Sequence, residues 1–477
     1  MKQEHPTIAS TCSIKDAMQV IDDFEKGICY VLQENRLIGV LTDGDIRRAL
    51  LGSSSINDQV DSVMNRDFVS YPIETDSKII RERFSKRIRF IPLVDQNGLF
   101  VDVADPNGNF RIPVLEPVLG ENELHNVIEC IETNWISSQG RFVRKFEDMF
   151  TDHHEGMYAL AVSNGTVALQ LAMEALGIKD GDEVLIPNIT FAATANAVIA
   201  CGGNPVLCEI DSKTWCIDTN EAEKLISSKT KAIIPVHLYG QPCAMQEIVK
   251  LAQEHDLIII EDCAEALGSK YGDQYVGTFG QASTYSFFGN KTITTGEGGM
   301  ILFSDQRIWE EAKVLRDHGM CPNKRYWHET VGYNFRLTNL QAAVGVAQME
   351  RLESILRKKI EIAGAYYMHL RTSDAIAQLP FENPDNLHSH WLFGVLLKEG
   401  INREKIVNEL LRKGIDTRNI FYPLSTMKPY AKYRKSINLK VSEDSMSQGI
   451  LLPSSVNLTL EKIKEISEAF LETLKNH

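Results

Sequence analysis

The chain has 477 residues, a formal net charge of −14, 43% hydrophobic residues and 24% charged residues. This length favours two or three domains, and the composition is typical of a globular protein rather than a disordered or fibrous one. The acidic balance argues against nucleic acid or an anionic membrane surface as a partner, because both require a basic patch. The nine cysteines show no Cys-x-x-Cys spacing, and no segment approaches the ~18 apolar residues of a membrane span. We therefore expect a cytoplasmic protein with free thiols and no metal.

The first 105 residues contain a weak internal duplication. Each copy is predicted to run strand, helix, strand and strand, with turn-forming residues between the last two strands. The first copy comprises Thr7-Ile8, a helix opening at Ser13–Asp16, the strands Ile28–Gln33 and Arg36–Leu41, and a closing helix, Asp43–Leu50. The second copy comprises Phe68-Val69, a helix opening at Asp76–Lys78, and the strands Ile88–Val94 and Leu99–Val103, without a closing helix.

This duplicated α+β segment, residues 1–105, resembles a pair of CBS domains. The resemblance is carried by the run from Gly39 to Leu50, which reads GVLTDGDIRRAL. It implies that Thr42 and Asp45 contact the ribose of an adenine nucleotide. The matching run of the second copy, Val101–Asp105, has no threonine. A structural or dimerising pair that binds no ligand is therefore the alternative.

Turn-forming residues at 105–109 predict a linker, which we place at 106–112. Beyond it, a helix is predicted over Glu121–Thr133, with Leu124, Val127, Ile128 and Ile131 on one face. Short apolar strands then alternate with helices, which indicates a parallel sheet covered on both faces. The predicted strands are Tyr158–Val162, Glu183–Ile186, Pro205–Ile210, Lys231–Val236 and Leu257–Glu261. We expect a large domain over 113–354 and a small α/β domain over 355–477.

Ligands of open α/β sheets lie beyond the carboxyl ends of the strands, and four segments of this chain are predicted to lie there. Ser163–Thr166 joins a strand to a helix through a glycine, which suits a phosphate; an ordinary turn is the alternative. Asp262 ends an apolar strand and could pair with a protonated ring nitrogen, or could cap a helix. Lys291 precedes a glycine-rich turn that could shield its amine from water, although loop lysines are usually solvated. The fourth segment, 331–343, is predicted to be a polar-aromatic loop followed by a capped amphipathic helix.

In this order and at these separations, the four segments resemble the DegT/DnrJ/EryC1/StrS sugar aminotransferases over residues 112–475. The resemblance implies an aspartate-aminotransferase-like fold of type I, with a large parallel-sheet domain and a small C-terminal α/β domain. Pyridoxal 5'-phosphate (PLP) is the implied cofactor. Lys291 and Asp262 would be the catalytic residues, the first binding the cofactor covalently and the second pairing with its ring nitrogen. The other implied cofactor-binding residues are Gly165, Thr166 and Ser286 for the phosphate, Glu265 for the ring hydroxyl, Phe191 for the ring face, and Asn334 from a second subunit.

Within the family, the chain looks most like the members that aminate GDP-4-keto-6-deoxymannose. The runs that carry this likeness are Trp135–Gly140, Ser286–Met300, Met320–Trp327 and Phe421–Leu424. The implied reaction moves an amino group from glutamate to a 4-keto-6-deoxy sugar nucleotide for a surface glycan, in a homodimer or larger assembly. The implied substrate contacts are Trp135, Ser137, Ser138, Arg325 and Tyr326.

One segment departs from the pattern. Arg418–Ser425 replaces the usual Arg-Pro-Phe-Phe-Tyr-Pro-x-His and lacks both the first proline and the final histidine. UDP- or dTDP-linked keto sugars are therefore alternative substrates. A nucleotide-sensing regulator with an inert PLP domain is a further alternative. A sugar dehydratase of the same family is disfavoured, because those enzymes have histidine in place of the lysine and Lys291 is present here.

Overall fold

The structure is a computed structural model that describes residues 5–24, 26–73, 75, 77–85, 87–105, 112–435 and 438–475. The predicted linker falls outside these residues, except for Ile112. The chain forms two compact units. The first comprises Met1–Pro113 and Glu404–Asp416, and the second comprises Val114–Arg403 and Thr417–His477. The predicted boundary between a large and a small domain, at 354–355, lies within the second unit and stays a prediction.

The first unit shows the predicted duplication. Its first copy consists of β1 (Thr7–Ala9), α1 (Ile14–Phe24), β2 (Ile28–Gln33), β3 (Arg36–Thr42) and α2 (Asp43–Leu51). Its second copy consists of β4 (Tyr71–Pro72), α3 (Ser77–Arg83), β5 (Ile91–Val94) and β6 (Phe100–Ala104). In both copies the first strand pairs parallel with the second, which pairs antiparallel with the third. The repeated topology therefore supports the prediction of two related modules.

The predicted position of one strand of the second copy is wrong. β4 lies at Tyr71–Pro72, beside Leu93 and Val94, and not at Phe68-Val69. Phe68 instead packs against a cluster that contains Tyr30. An apolar pair such as Phe68-Val69 can belong to a strand or can pack against one from a loop, and the local sequence pattern does not distinguish the two cases.

The second unit is built on a seven-stranded sheet in the order β7-β15-β14-β11-β10-β8-β9. Its strands pair in parallel except β15, which is antiparallel to both of its neighbours. The elements in chain order are α4 (Glu121–Glu132), α5 (Arg141–His153), β7 (Tyr158–Val162), α6 (Gly165–Ala175), β8 (Glu183–Pro187), α7 (Ala193–Ala200), β9 (Asn204–Cys208), α8 (Thr219–Glu223), β10 (Thr230–Ile233), α9 (Met245–His255), β11 (Ile258–Asp262), β12 (Lys270–Tyr271), β13 (Gln274–Tyr275), β14 (Ala282–Ser286), β15 (Gly299–Phe303), α10 (Gln306–Arg316) and α11 (Asn339–Glu350). Both faces of the sheet are covered, because its strands are buried almost throughout.

The C-terminal part of the chain contains a four-stranded antiparallel sheet in the order β16-β18-β20-β19. Its elements are α12 (Leu352–Leu370), β16 (Ile376–Gln378), β17 (Asn386–Leu387), β18 (Phe393–Leu397), α13 (Arg403–Arg412), β19 (Arg418–Asn419), α14 (Lys440–Gln448), β20 (Gly449–Leu452) and α15 (Leu460–Lys475). β17 belongs to a separate three-stranded sheet with β12 and β13. Among the described residues, no helix is both long and apolar enough to cross a membrane.

Two helices differ from their predicted burial. Of the predicted apolar face of α4, Val127 packs against a core cluster, whereas Leu124, Ile128 and Ile131 are 62%, 42% and 60% exposed. α11, which was predicted to be amphipathic, is instead buried on nearly all of its faces. Its capping box, between Thr338 and Gln341, forms as the sequence indicates. Periodicity thus located both helices but did not show what surrounds them.

Candidate active site

Asp262 lies at the carboxyl end of β11, and its side chain is buried. Its carboxylate accepts hydrogen bonds from Thr194 Oγ1 at 2.9 Å and from the Ala264 amide at 3.2 Å. No helix begins at this point among the described residues, so the helix-cap interpretation does not apply. Burial raises the pKa of Asp262, while the two hydrogen bonds and the charge of Lys291 oppose that rise. The arrangement keeps a carboxylate pointing into the site.

Lys291 follows β14, in the turn that leads to β15, and its side chain is only 13% exposed. Its Nζ lies 3.4 Å from Glu265 Oε1 and 3.9 Å from the centre of the Trp391 ring. The amine thus lies between a carboxylate on one side and an aromatic face on the other, each of which attracts an ammonium group. Lys291 is therefore a held side chain and not a solvated loop lysine.

Glu265 connects this lysine to the backbone nearby. Its second oxygen accepts from the Tyr239 amide at 3.0 Å. Burial raises the pKa of Glu265, and the nearby charge of Lys291 opposes the rise. Lys291 thus affects both buried carboxyls of the site.

Gly165 and Ser286 lie against each other at the ends of β7 and β14. A Cβ atom on Gly165 would lie 2.8 Å from Ser286 Cβ, so only glycine permits this approach. Gly165 opens α6, whose N-cap is the Asn164 side chain, accepting from the Val167 amide at 3.0 Å. Thr166 lies in the first turn of the same helix. The free amides of a helix N-terminus beside a serine hydroxyl form a cradle suited to phosphate.

An aromatic group lies between β8 and the C-terminal sheet. Phe191 is 60% exposed, and its ring centre lies 5.8 Å from that of Phe421. Phe421 in turn packs against Tyr239, whose hydroxyl accepts from the Phe421 amide at 2.9 Å. The Phe191 carbonyl accepts from the amide of Thr194, whose hydroxyl donates to Asp262, so the exposed ring belongs to the segment that holds the aspartate. An exposed aromatic face suits a flat ligand.

The other predicted site residues are not joined to this cluster. The carbonyls of Trp135 and Ser137 accept from Asn339, while Ser138 is half-buried. Arg325 lies over the ring of Tyr326 in an exposed loop. Asn334 is exposed and pairs through its backbone with Asp317. Within the described part of the chain, these six predicted residues form no hydrogen bond or ion pair with the Lys291 cluster.

Thr42 and Asp45, predicted to contact a nucleotide, bond to each other instead. They form the capping box of α2, in which Thr42 Oγ1 donates to Asp45 Oδ2 at 2.6 Å and accepts from the Asp45 amide at 3.2 Å. Their polar atoms therefore already have a structural use.

Three residues of the site are not predicted from the sequence: Thr194, Tyr239 and Trp391. Thr194 stands four residues after Thr190 at the start of a helix, a spacing that indicates a shared face. The other two carry no local signal. The segment Arg418–Ser425, which differs from the family pattern, is held by Asn188. The Ser425 amide donates to Asn188 Oδ1 at 2.9 Å, and Asn188 Nδ2 donates to Ser425 Oγ at 3.0 Å.

A second buried group lies behind Asp262. His237, Glu261 and Cys263 bring potential metal ligands within 4.8 Å of one another. The carboxylate of Glu261, however, accepts from the backbone amides of residues 277, 279 and 280 at 2.7–3.0 Å and contacts His237 at 3.1 Å. Both oxygens of Glu261 therefore accept hydrogen bonds from the loop at residues 277–280, and these bonds account for the buried carboxylate without a metal ion.

Comparisons with known proteins agree with this geometry. The model of the DegT/DnrJ/EryC1/StrS aminotransferase family matches residues 117–471, and the CBS domain model matches residues 1–52. The chain is 44% identical over 362 residues to GDP-perosamine synthase of Escherichia coli O157:H7, which covers 76% of this chain and 98% of the relative. It is 42% identical over 366 residues to GDP-perosamine synthase of Caulobacter vibrioides, covering 76% and 98%.

Solved structures give the same result. PseC of Helicobacter pylori, an aminotransferase of pseudoaminic acid biosynthesis, superposes with a TM-score of 0.74 at 28% identity, over 77% of this chain and 100% of that chain. DesV of S. venezuelae, solved with a ketimine intermediate, gives a TM-score of 0.70 at 31% identity, over 74% and 94%. The predicted fold, the PLP cofactor and the sugar aminotransferase activity are thereby confirmed. The chain belongs to the DegT/DnrJ/EryC1/StrS aminotransferase family and carries a CBS domain at its N-terminus.

Proposed function

We propose that the chain transfers an amino group from glutamate to a 4-keto-6-deoxy sugar nucleotide, with GDP-4-keto-6-deoxymannose as the substrate. The observation that carries the proposal is the position of Lys291, enclosed between Glu265 and Trp391 and close enough to Asp262 to influence its ionisation. Two GDP-perosamine synthases at 42–44% identity support the choice of sugar nucleotide. The product would serve a surface glycan.

The residues of the cluster fit PLP. Gly165, Thr166 and Ser286 would hold its phosphate, since their backbone and hydroxyl donors meet where a side chain at position 165 is excluded. Phe191 would cover the face of its ring, and Glu265 would hold the ring hydroxyl. When bound, PLP supplies a ring that accepts electrons from the substrate carbon.

Two side chains would act on protons. Asp262 accepts hydrogen bonds from Thr194 and Ala264 that oppose the rise in its pKa, so its carboxylate could hold a proton on the ring nitrogen. Lys291 Nζ would bind the cofactor covalently and, once released, carry a proton between neighbouring atoms of substrate and cofactor. Glu265, at 3.4 Å, would orient that amine. Because glutamate and the sugar react in separate half-reactions, ping-pong kinetics are expected.

The test uses Lys291→Ala with Lys250→Ala as its control, because Lys250 is exposed and contacts only Glu254 among the ion pairs described. Lys291→Ala should lose both the visible absorption that shifts on adding glutamate and all turnover. Retained turnover in Lys291→Ala would refute the assignment. A panel of GDP-, UDP- and dTDP-linked 4-keto sugars, read by mass spectrometry, tests the substrate, and amination of the UDP or dTDP sugar alone would replace the GDP proposal.

We propose a homodimer as the active form, with Asn334 reaching the phosphate of the partner's cofactor. The support is the apolar face of α4, where Leu124, Ile128 and Ile131 are exposed and Trp135 and Ile136 follow at 54% and 51% exposure. Contiguous exposed apolar surface of this kind marks a protein interface. Trp135 would then serve the substrate site together with Ser137, Ser138, Arg325 and Tyr326.

We also propose that the CBS segment binds an adenine nucleotide. A specific observation favours this second function: a cavity of about 1030 Å³ in the first unit is lined by Lys15, Lys26, Arg47, Arg89 and Phe90. The lining also includes the carboxylates of Asp22 and Asp43, and Lys26 and Arg89 each lie 6.0 Å from the Phe90 ring. The cations suit phosphate and the ring suits a base, whereas Thr42 and Asp45 are not among the lining residues. AMP, ADP and ATP should raise the thermal midpoint or alter the kinetics, and no change in either at saturation would remove the proposal.

A further inference from the structure

Trp391 forms one wall of the pocket around Lys291. Its ring centre lies 3.9 Å from Lys291 Nζ, and its indole N–H donates to the carbonyl of Asn290 at 2.6 Å. The side chain is 3% exposed. The indole therefore contacts both the reactive amine and the backbone that carries it.

The backbone before Trp391 is in an unfavourable conformation. His390 has φ of 49°, in the left-handed region that non-glycine residues rarely adopt. Such a conformation persists only where surrounding contacts hold it. The position of the indole thus depends on an anchor for this turn.

Lys359, on α12, supplies that anchor. Its ammonium donates to the carbonyl of Trp391 at 3.0 Å and to the carbonyl of Ser454 at 2.5 Å. The side chain is 2% exposed, and among the described residues it has no ion pair. A buried ammonium without a carboxylate is costly, and burial lowers the pKa of Lys359 to about 7. Packing alone would be served as well by methionine, so the donor function distinguishes this side chain.

The two lysines also line one small space. A cavity of about 30 Å³ is bordered by Lys291, Lys359, Thr292, Thr294 and Gln348. This volume has room for about one water molecule. Lys359 therefore also borders the space beside Lys291, in addition to its contact with Trp391.

We propose that Lys359 is a positioning residue for Lys291, acting through Trp391: by tying the main-chain carbonyl of Trp391 to that of Ser454, it keeps the indole over the amine. The inference rests on the proposed function of Lys291 and adds a residue that forms no hydrogen bond with Lys291 among the described contacts. The chain of contacts runs from Lys359 to the Trp391 carbonyl, and from the Trp391 indole to Asn290 and Lys291.

The first test measures access to the amine without cofactor or substrate. In cofactor-free protein, acylation of Lys291 by a small amine-reactive anhydride is followed by mass spectrometry. Lys359→Met and Trp391→Phe should each label at least about threefold faster at Lys291 than the native chain. Lys358→Met is the matched control, because the neighbouring Lys358 bonds to Glu361 at 3.1 Å and should leave labelling unchanged.

Unchanged labelling in a folded Lys359→Met protein would overturn the proposal. If that variant does not fold, Trp391→Phe decides: unchanged labelling there shows that the indole does not cover the amine. This result is independent of the proposed function, which fails separately if Lys291→Ala keeps turnover.

The second test is a kinetic double-mutant cycle. Lys359→Met should lower kcat about tenfold while KM for glutamate and for the sugar nucleotide stays within twofold. In a Trp391→Phe background, the same change should have little further effect. Additive losses in the double variant would show that Lys359 does not act through Trp391, and would refute the inference.

Discussion

The buried ammonium of Lys359 makes the stability of the protein depend on pH in a calculable way. Its pKa falls from 10.5 to about 7 in the folded chain, with burial as the cause. Between these two values the unfolded chain binds the proton more tightly than the folded chain. The cost of burying the charge is therefore fully present below about pH 7 and is relieved as pH rises toward 10.5.

Lys359→Met removes this titration while keeping a flexible side chain of similar length. Since each pKa unit corresponds to about 1.36 kcal/mol, the whole shift is worth on the order of 5 kcal/mol. Over the measurable interval from pH 7 to pH 9, the native chain should gain about 2 kcal/mol of unfolding free energy relative to the variant. At pH 7, the hydrogen bonds lost to Trp391 and Ser454 decide which of the two proteins has the larger free energy of unfolding. These bonds do not change how the difference in free energy varies with pH.

The assay is urea unfolding of both cofactor-free proteins at pH 7 and pH 9, followed by circular dichroism. The groups facing Lys359 are common to both proteins: Lys291, Arg351 and Glu116 around the small cavity, and His390, whose pKa of about 3 leaves it neutral. Lys358→Met, with its exposed partner Glu361, should show no such slope. Equal differences at the two pH values would refute the idea that Lys359 loses its proton in this range.

Three further predictions follow from particular contacts. Gly165→Ala places a methyl group 2.8 Å from Ser286 Cβ, an overlap worth roughly 1–3 kcal/mol, and should weaken PLP binding at least tenfold in an absorbance titration; native affinity would contradict the phosphate cradle. Thr194→Val removes a donor to Asp262, worth about 1.5–3 kcal/mol to a charged acceptor, and should lower kcat about tenfold or more; a kcat equal to that of the native chain would show that Thr194 does not support Asp262. Ile128→Glu should yield monomers in sedimentation velocity if α4 forms the dimer interface, and an unchanged mass would exclude that face.

Sequence predicted best those parts of the fold and site that local pattern decides. Strands such as Tyr158–Val162 are apolar throughout and flanked by turns, so their bounds agree with the structure. Asp262 and Gly165 stand directly after such strands, and parallel strands place their carboxyl ends at one edge of the sheet. Gly165 and Ser286 are 121 positions apart in the sequence. Their contact in the site was predicted from this rule together with the family resemblance.

Long-range contacts explain most of what the sequence did not show. Trp391 reaches the carbonyl of Asn290 across 101 positions, and nothing near Trp391 marks it as part of a site. After the turn that carries Lys291, the chain reverses direction and forms β15, which lies between β14 and β7 in the sheet. β15 is therefore antiparallel to both neighbours. For α4, periodicity identified an apolar face but not what covers it. For Thr42 and Asp45, one motif serves both a helix cap and a proposed ligand contact, so spacing alone cannot assign it.

The charges around Lys291 show why its neighbours must be considered together. Asp262 and Glu265 are both buried, and burial alone would favour their neutral forms. The charge of Lys291 opposes the rise in the pKa of each, so one cation acts on both carboxyl groups. Neutralising or moving the amine therefore alters both acids, and fixing its position has consequences beyond the amine. This gives Trp391 and Lys359 a part in the electrostatics of the site, although neither carries a charge that contacts Asp262 or Glu265.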